Sequence, residues 1–270
     1  MVHILPFLNK YELINPFKRN RKNANVFFEF LYEIVDASKD EKSVFCQMKK
    51  LGFSKEIIIH DLHDLFLAGT ETSSRTVTSV LYHLKKYPEV MKKLESELFA
   101  HFDKYSDNDG KFDKDKILEF EYLNNVIKEA LRIDPPSFES LASLPSEDIT
   151  ICGVDIPKGS PIKLQLVGAH FNPEEWVEPY KFIPERYDPN SKYFFKPNSD
   201  KPRSPYAYVP FSQGPRSCPG RTIAMLQMKV ILIYLLCKMD YTIDQEFLDK
   251  EGVAFPIYSQ FQCEFTVTKI

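Results

Sequence analysis

One long helix sets the scale of this chain. Ser54 is a good N-cap for a helix that runs to about Lys86. At about 1.5 Å per residue that helix is about 50 Å long, unusual for a small domain. Pro88 opens the next helix, which extends through about Phe102, because proline in the first turn loses no hydrogen bond.

Other segments read from their patterns. Residues 24–37 carry helical periodicity, and 121–133 form a short helix stopped by Pro135 and Pro136. Tyr105–Gly110 is a turn-rich loop. Residues 149–167 alternate, and predict strands around the turn Pro157-Lys158-Gly159. From Asn172 to Pro210 there are eight prolines, so regular structure is not expected there. A helix follows from about Pro219 to Met239, and the tail from Phe261 to Ile270 alternates like a strand. The expected fold class is mainly α with a minor β-sheet.

Composition narrows the function classes. With 43% hydrophobic residues over 270, a core can form and disorder is not the default. A net charge of −3 leaves no basic excess for a nucleic-acid partner. The run Lys18, Arg19, Arg21, Lys22 reads as a solvated helix end. The five cysteines, Cys46, Cys152, Cys218, Cys237 and Cys263, form no Cys-x-x-Cys pair, which argues against a zinc site or a disulfide framework and fits a reducing compartment. The stretch Met225–Met239, interrupted by Gln227 and Lys229, is too short to span a bilayer, and no signal or transit peptide follows Met1.

Chemistry concentrates at residues 211–220, Phe-Ser-Gln-Gly-Pro-Arg-Ser-Cys-Pro-Gly. Cys218 closes a glycine-bearing loop directly before an apolar helix, with Pro219 expected in the first helical turn. The positive end of a helix dipole favours an anionic ligand at such a place. Gly214 permits a tight turn, Gly220 leaves room for a flat ligand, Arg216 offers a fork of donors to a carboxylate, and Phe211 supplies an aromatic wall. A lone cysteine is most often a buried core residue. The whole decapeptide, however, resembles the heme-thiolate loop of the cytochrome P-450 family at Phe211, Gly214, Arg216, Cys218 and Gly220. The resemblance implies that Cys218 is the proximal ligand of a heme iron and that Arg216 binds a heme propionate.

Three further constellations extend the likeness. Ala68-Gly69-Thr70-Glu71-Thr72 lies mid-way along the long helix, where glycine costs about 1 kcal/mol against alanine. Close helix packing explains an isolated Ala-Gly pair, but the Thr72 hydroxyl can also bond a backbone carbonyl and open a local kink. The stretch resembles the family's oxygen-binding motif, which implies that Glu71 and Thr72 manage proton delivery to dioxygen and that Ala68 and Gly69 line the cofactor. Glu129 and Arg132 share a helix face among apolar neighbours, so burial and further partners are expected. The Glu-x-x-Arg pattern and Pro184-Glu185-Arg186-Tyr187 resemble the family's paired motifs, which implies a structural network of Glu129, Arg132 and Arg186 beneath the cysteine loop. Tyr187 stands where Phe or Trp is usual.

Two departures bear on the cofactor. Ser143, five residues before Asp148, stands where the family often has an arginine, and His170-Phe171-Asn172-Pro173 replaces His-Arg-Asp-Pro. Propionate binding would then rest on Arg216, His170 and a group absent from this chain. His60 and His63 have metal-compatible spacing but no evident third ligand, and read as helix-face residues. By analogy, substrate-pocket positions include Asp64, Leu65, Ala68, Phe138–Leu141 and Phe255–Ile257.

The resemblance covers residues from about 25 to 270, as one partial domain matching the carboxy-terminal half of a member and most like eukaryotic microsomal members. It implies a heme (iron protoporphyrin IX) monooxygenase, an oxidoreductase that inserts one atom of dioxygen into a small apolar substrate. Electrons would come from NADPH through a reductase, or from a cytochrome b-type donor. A full-length form would sit on the cytoplasmic face of the endoplasmic reticulum membrane. Two alternatives stand beside this reading: a catalytically silent heme-binding fragment that aggregates when expressed alone, and a reductase-independent member that rearranges peroxides. Thr72 argues against the latter, since such members often lack that threonine.

Overall fold

The structure is a computed structural model that describes residues 15–105, 117–243 and 265–269. The chain divides into two compact units, Met1–Thr70 and Glu71–Ile270. Helices dominate both, and the strands form two two-stranded antiparallel sheets.

In the first unit, α1 (Asn15–Ala37) and α2 (Val44–Lys50) precede α3 (Lys55–Lys86). α1 begins nine residues earlier than its apolar periodicity, because Asn15–Asn23 is polar and basic and offers no periodic signal, although Lys and Arg are good helix formers. The basic run lies there. The Ser43 hydroxyl accepts from the Cys46 amide at 3.3 Å and caps α2, and Ser54 accepts from the Ile57 amide at 3.4 Å and caps α3 as expected. Leu31 and Val35 of α1 and Ile58 and Ile59 of α3 are fully buried together. Truncating one of them to alanine would cost about 2–5 kcal/mol.

In the second unit, residues 71–86 of α3 join α4 (Pro88–Tyr105), α5 (Glu121–Ile133), the short α6 (Leu166–His170) and α7 (Arg221–Lys238). α5 is the centre: nine of its 13 residues are buried, against Val80 and Leu84 of α3, Leu94 of α4 and Leu232 of α7. Its N-cap, Phe120, offers no side-chain acceptor. The orphaned amides of Tyr122 and Leu123 instead donate to the two carboxylate oxygens of Glu97, on α4, at 2.8 and 2.9 Å. The other end is held by Asp134, whose Oδ2 accepts from Ser79 Oγ at 2.6 Å and meets His83 Nε2 at 2.7 Å.

Three expectations about local structure change. The strands are β1 (Ile149–Ile151) and β2 (Val154–Ile156), joined at Cys152-Gly153. Both turn residues have positive φ, +50° and +79°, as a two-residue hairpin requires. Pro157-Lys158-Gly159 is a turn that ends β2 instead of linking strands, and Ser160 N bonds to Pro157 O at 3.1 Å. Beyond it, single bridges at Ile162 and Gln165 replace a third strand before α6 begins. The proline-rich segment contains one regular piece, a 3-10 turn at Pro184–Tyr187. α7 starts at Arg221 with Gly220 at the N-cap, so Pro219 lies just outside the helix. β3 (Met239–Ile243) pairs with β4 (Phe265–Lys269) within the expected tail strand; residues 261–264, the loop from Ser106 to Gly110, and Phe255–Ile257 lie outside the described residues.

Candidate active site: the cysteine loop and its buttress

The site is built from α5 upward. Glu129 and Arg132 are both 0% exposed, and Arg186 from the 3-10 turn joins them at 0%. Arg132 makes a bidentate pair with Glu129, Nε to Oε2 at 2.9 Å and Nη2 to Oε1 at 2.8 Å. Oε1 also accepts from Arg186 Nε and from the Ile183 amide, each at 2.9 Å. Burial alone would raise the Glu129 carboxyl, but the guanidiniums of Arg132 and Arg186 outweigh it and hold the group below its usual value.

One carboxylate does not satisfy two buried guanidiniums. The remaining donors go to backbone carbonyls: Arg132 to His170, Pro179 and Lys181, and Arg186 to Val177, Glu178 and Lys181. Arg203 continues the pattern to the carbonyls of Tyr193 and Arg186 at 2.9 and 2.6 Å. Its guanidinium lies 4.4 Å from the Trp176 ring centroid, and that of Arg132 lies 5.0 Å from it. A segment with eight prolines has few ladder bonds, so its carbonyls need donors from elsewhere, and the arginines supply them. That logic would have flagged Arg203 and Trp176, which the sequence patterns left unassigned.

His170 carries the buttress to the cysteine loop. It is fully buried, with Nδ1 bonded to the Arg132 carbonyl at 3.2 Å and Nε2 to the Val209 amide at 3.0 Å. A carbonyl only accepts and an amide only donates, so Nδ1 bears the hydrogen and the ring is neutral. Burial, then the charge of Arg132, push its pKa down to about 4. Both ring nitrogens are thus taken inside the protein. The expected propionate role does not match this placement: His170 pins Val209, two residues before Phe211.

The loop is closed by its own backbone. Cys218 N donates to Phe211 O at 2.9 Å, Ser217 N to Gly214 O at 3.1 Å, and Ser212 N to Val209 O at 2.9 Å. Gly214 has φ +81°, the left-handed turn that glycine adopts without strain. Cys218 and Arg216 are exposed, Phe211 is half-buried against the core, and Gly220 is half-buried beside the cysteine. A Cβ at Gly220 would stand 3.8 Å from Cys218 Sγ, so glycine keeps that side of the sulfur open. On α7, Ile223, Leu226, Val230 and Tyr234 form an exposed apolar stripe at helical spacing. An accessible thiol, a nearby guanidinium and apolar surface are the donor set that suits a flat apolar macrocycle with a metal centre and anionic edge. The residues present fit heme.

The oxygen-motif residues lie along α3. Ala68 and Gly69 are exposed and belong to the first unit; Glu71 and Thr72 belong to the second. Glu71 is exposed and accepts from Arg75 Nη2 at 2.6 Å, and Thr72 is half-buried, its carbonyl accepting from Thr76 Oγ1 at 3.0 Å. Asp64 and Leu65 are exposed on the same helix. The Phe138 carbonyl accepts from the Leu166 amide at 2.8 Å, and Ser143 bridges to Ile162. His60 and His63 both make ring contacts with Phe28.

Comparison with known proteins places this arrangement. A family model described as cytochrome P450 matches residues 9–253. Cytochrome P450 3A31 of Mesocricetus auratus is 34% identical over 173 residues, 64% of this chain and 32% of that protein. Cytochrome P450 3A40 of Oryzias latipes is 31% identical over 229 residues, 85% of this chain and 42% of that protein. The isoflavone 3'-hydroxylase of Medicago truncatula is 32% identical over 196 residues, 68% of this chain and 38% of that protein. This chain thus spans less than half the length of each of these relatives. The crystal structure of the cytochrome P450DA heme domain superposes with a TM-score of 0.66 at 23% identity, covering 81% of this chain and 48% of that one, which shows a shared fold. A mutant of that heme domain gives 0.59 at 26% identity, covering 70% and 40%. Among the described residues no helix is long and apolar enough to cross a membrane. The mainly helical architecture, the cysteine loop and the family match together establish that this chain belongs to the cytochrome P450 family.

Proposed function

We propose that this chain forms the heme-binding part of a heme-thiolate monooxygenase, with Cys218 as the residue that would ligate its iron. The observation that carries the reading is the exposed Cys218 thiol at the head of α7, on a loop pinned through Val209 and His170 to the buried Glu129–Arg132–Arg186 network. Heme held there by the Cys218 thiolate would supply the activation of dioxygen. Arg216 binds a propionate by charge-assisted hydrogen bonds. Thr72 and Glu71 hold and pass protons at the hydroxyl and carboxylate oxygens. Glu129, Arg132 and Arg186 touch no reacting atom and position the loop.

The reaction inserts one oxygen atom into a C–H bond of a small apolar molecule. Electrons come from an NADPH-dependent reductase or a cytochrome b-type donor, on the cytoplasmic face of the endoplasmic reticulum membrane. Thr72 supports reductase-dependent oxygen chemistry over peroxide rearrangement. The test is reconstitution of the chain with heme, followed by a carbon-monoxide difference spectrum of wild type and Cys218→His. The thiolate-type band should be present in the first and lost in the second. An unchanged band in Cys218→His would overturn the ligand assignment, and turnover that needs no NADPH or reductase would overturn the reaction class.

A further inference from the structure

A cavity of about 580 Å³ lies within the second unit, between α5, the start of α7 and the segment leading into the cysteine loop. This size is in the range of small-molecule sites. Its walls include Tyr187, Tyr208 and Phe211, with the buried Trp176 behind them, and its charged residues include Lys128 and Arg221. Neither Cys218 nor Arg216 is among the described residues that line it.

The charge in this cavity is one-sided. No Asp or Glu occurs among the described lining residues. Arg203 also lines it, but its guanidinium already donates to the carbonyls of Tyr193 and Arg186. Lys128 and Arg221 differ: neither forms an ion pair with any described carboxylate, and each lies near an aromatic face, Lys128 Nζ at 5.4 Å from the Tyr187 centroid and Arg221 at 5.9 Å from that of Phe211. Lys128 is half-buried, and burial, followed by the positive charge of Arg221, lowers its pKa. Two cations facing one partly desolvated space without a counter-charge favour an anion there. Three aromatic residues around the same space favour a planar apolar body.

We propose that this cavity binds a small aromatic anion, a carboxylate or sulfonate whose charge is met by Lys128 and Arg221 and whose ring system lies among Tyr187, Tyr208 and Phe211. The cavity shares Phe211 with the cysteine loop, but Cys218 takes no part in it.

Calorimetric titration of the purified full chain with naphthoate, and with the uncharged naphthamide of the same shape, tests it. Naphthoate should bind at least about tenfold tighter than the amide, the effect of a charge-assisted contact. Lys128→Gln and Arg221→Gln should each weaken naphthoate by about tenfold and leave the amide unchanged. Arg221 is exposed, so its replacement leaves the packed core intact even where Lys128→Gln does not fold. Cys218→Ser should bind naphthoate like wild type. Equal affinity for acid and amide, unchanged naphthoate affinity in Arg221→Gln, or loss of binding in Cys218→Ser would each overturn the assignment.

Discussion

Arg132 and His170 hold each other by their backbones. The Arg132 guanidinium donates to the His170 carbonyl at 2.9 Å, and the His170 ring donates from Nδ1 to the Arg132 carbonyl at 3.2 Å. The second ring nitrogen then accepts from Val209, so one residue links the C-terminal turn of α5, the end of α6 and the entry to the cysteine loop. Such a link has consequences that can be measured.

His170 is neutral in the fold, with its pKa pushed from 6.5 to about 4. Below pH 6.5 the unfolded chain takes up a proton that the folded chain does not. Stability should therefore be full above about pH 6.5 and fall by about 3 kcal/mol as the pH drops towards 4. His170→Gln should flatten that part of the profile and lower stability at pH 7. Urea unfolding midpoints across pH 4–8 provide the measurement, and an equal slope in both proteins would refute the role.

Arg132→Ala should cost about 3–5 kcal/mol, because it leaves Glu129 buried with half its partners and the carbonyls of His170 and Pro179 without their donor. Arg132→Lys should recover little, since an ammonium cannot make the bidentate pair and reach the carbonyls together. The check is soluble yield and denaturant unfolding; a stable Arg132→Ala with only slower chemistry would show a catalytic and not a structural residue.

Glu97→Ala should remove the cap of α5 and cost about 0.5–2 kcal/mol. Amide exchange at Tyr122 and Leu123 should quicken first, since those two amides lose their acceptors. Unchanged protection at both would show that water or another group replaces the carboxylate without loss.

Thr72→Ala should leave heme binding intact and divert reducing equivalents to peroxide. NADPH consumption, peroxide and product measured together in the heme-loaded protein with reductase decide this. Product formed in the same ratio to NADPH as in wild type would remove Thr72 from proton delivery.

Much of the framework was legible from local signals. Ser54 marks the start of α3, Pro88 that of α4, and Pro135 follows the end of α5. The i, i+3 spacing of Glu129 and Arg132 among apolar neighbours pointed to a buried pair, and the structure buries it completely. The hairpin turn was misplaced because Pro157-Lys158-Gly159 carries a stronger turn signal than Ile151-Cys152-Gly153, although only Cys152 and Gly153 adopt the paired positive φ values that close a two-residue loop.

The amino-acid sequence by itself determined where α3 and α4 begin and where α5 ends, which cysteine stands at a helix mouth, and which charged residues share a face. Each of those depends on neighbours within a turn or two, through capping, proline geometry and helical spacing. Only the tertiary structure decided that His170 serves Val209, that Glu97 caps α5, and that Arg186 reaches Glu129 across 57 positions. Those bonds form because the core brings distant segments together and excludes water from their polar groups. A buried amide or carbonyl then takes whichever partner the packing presents, and no local pattern records which one that will be.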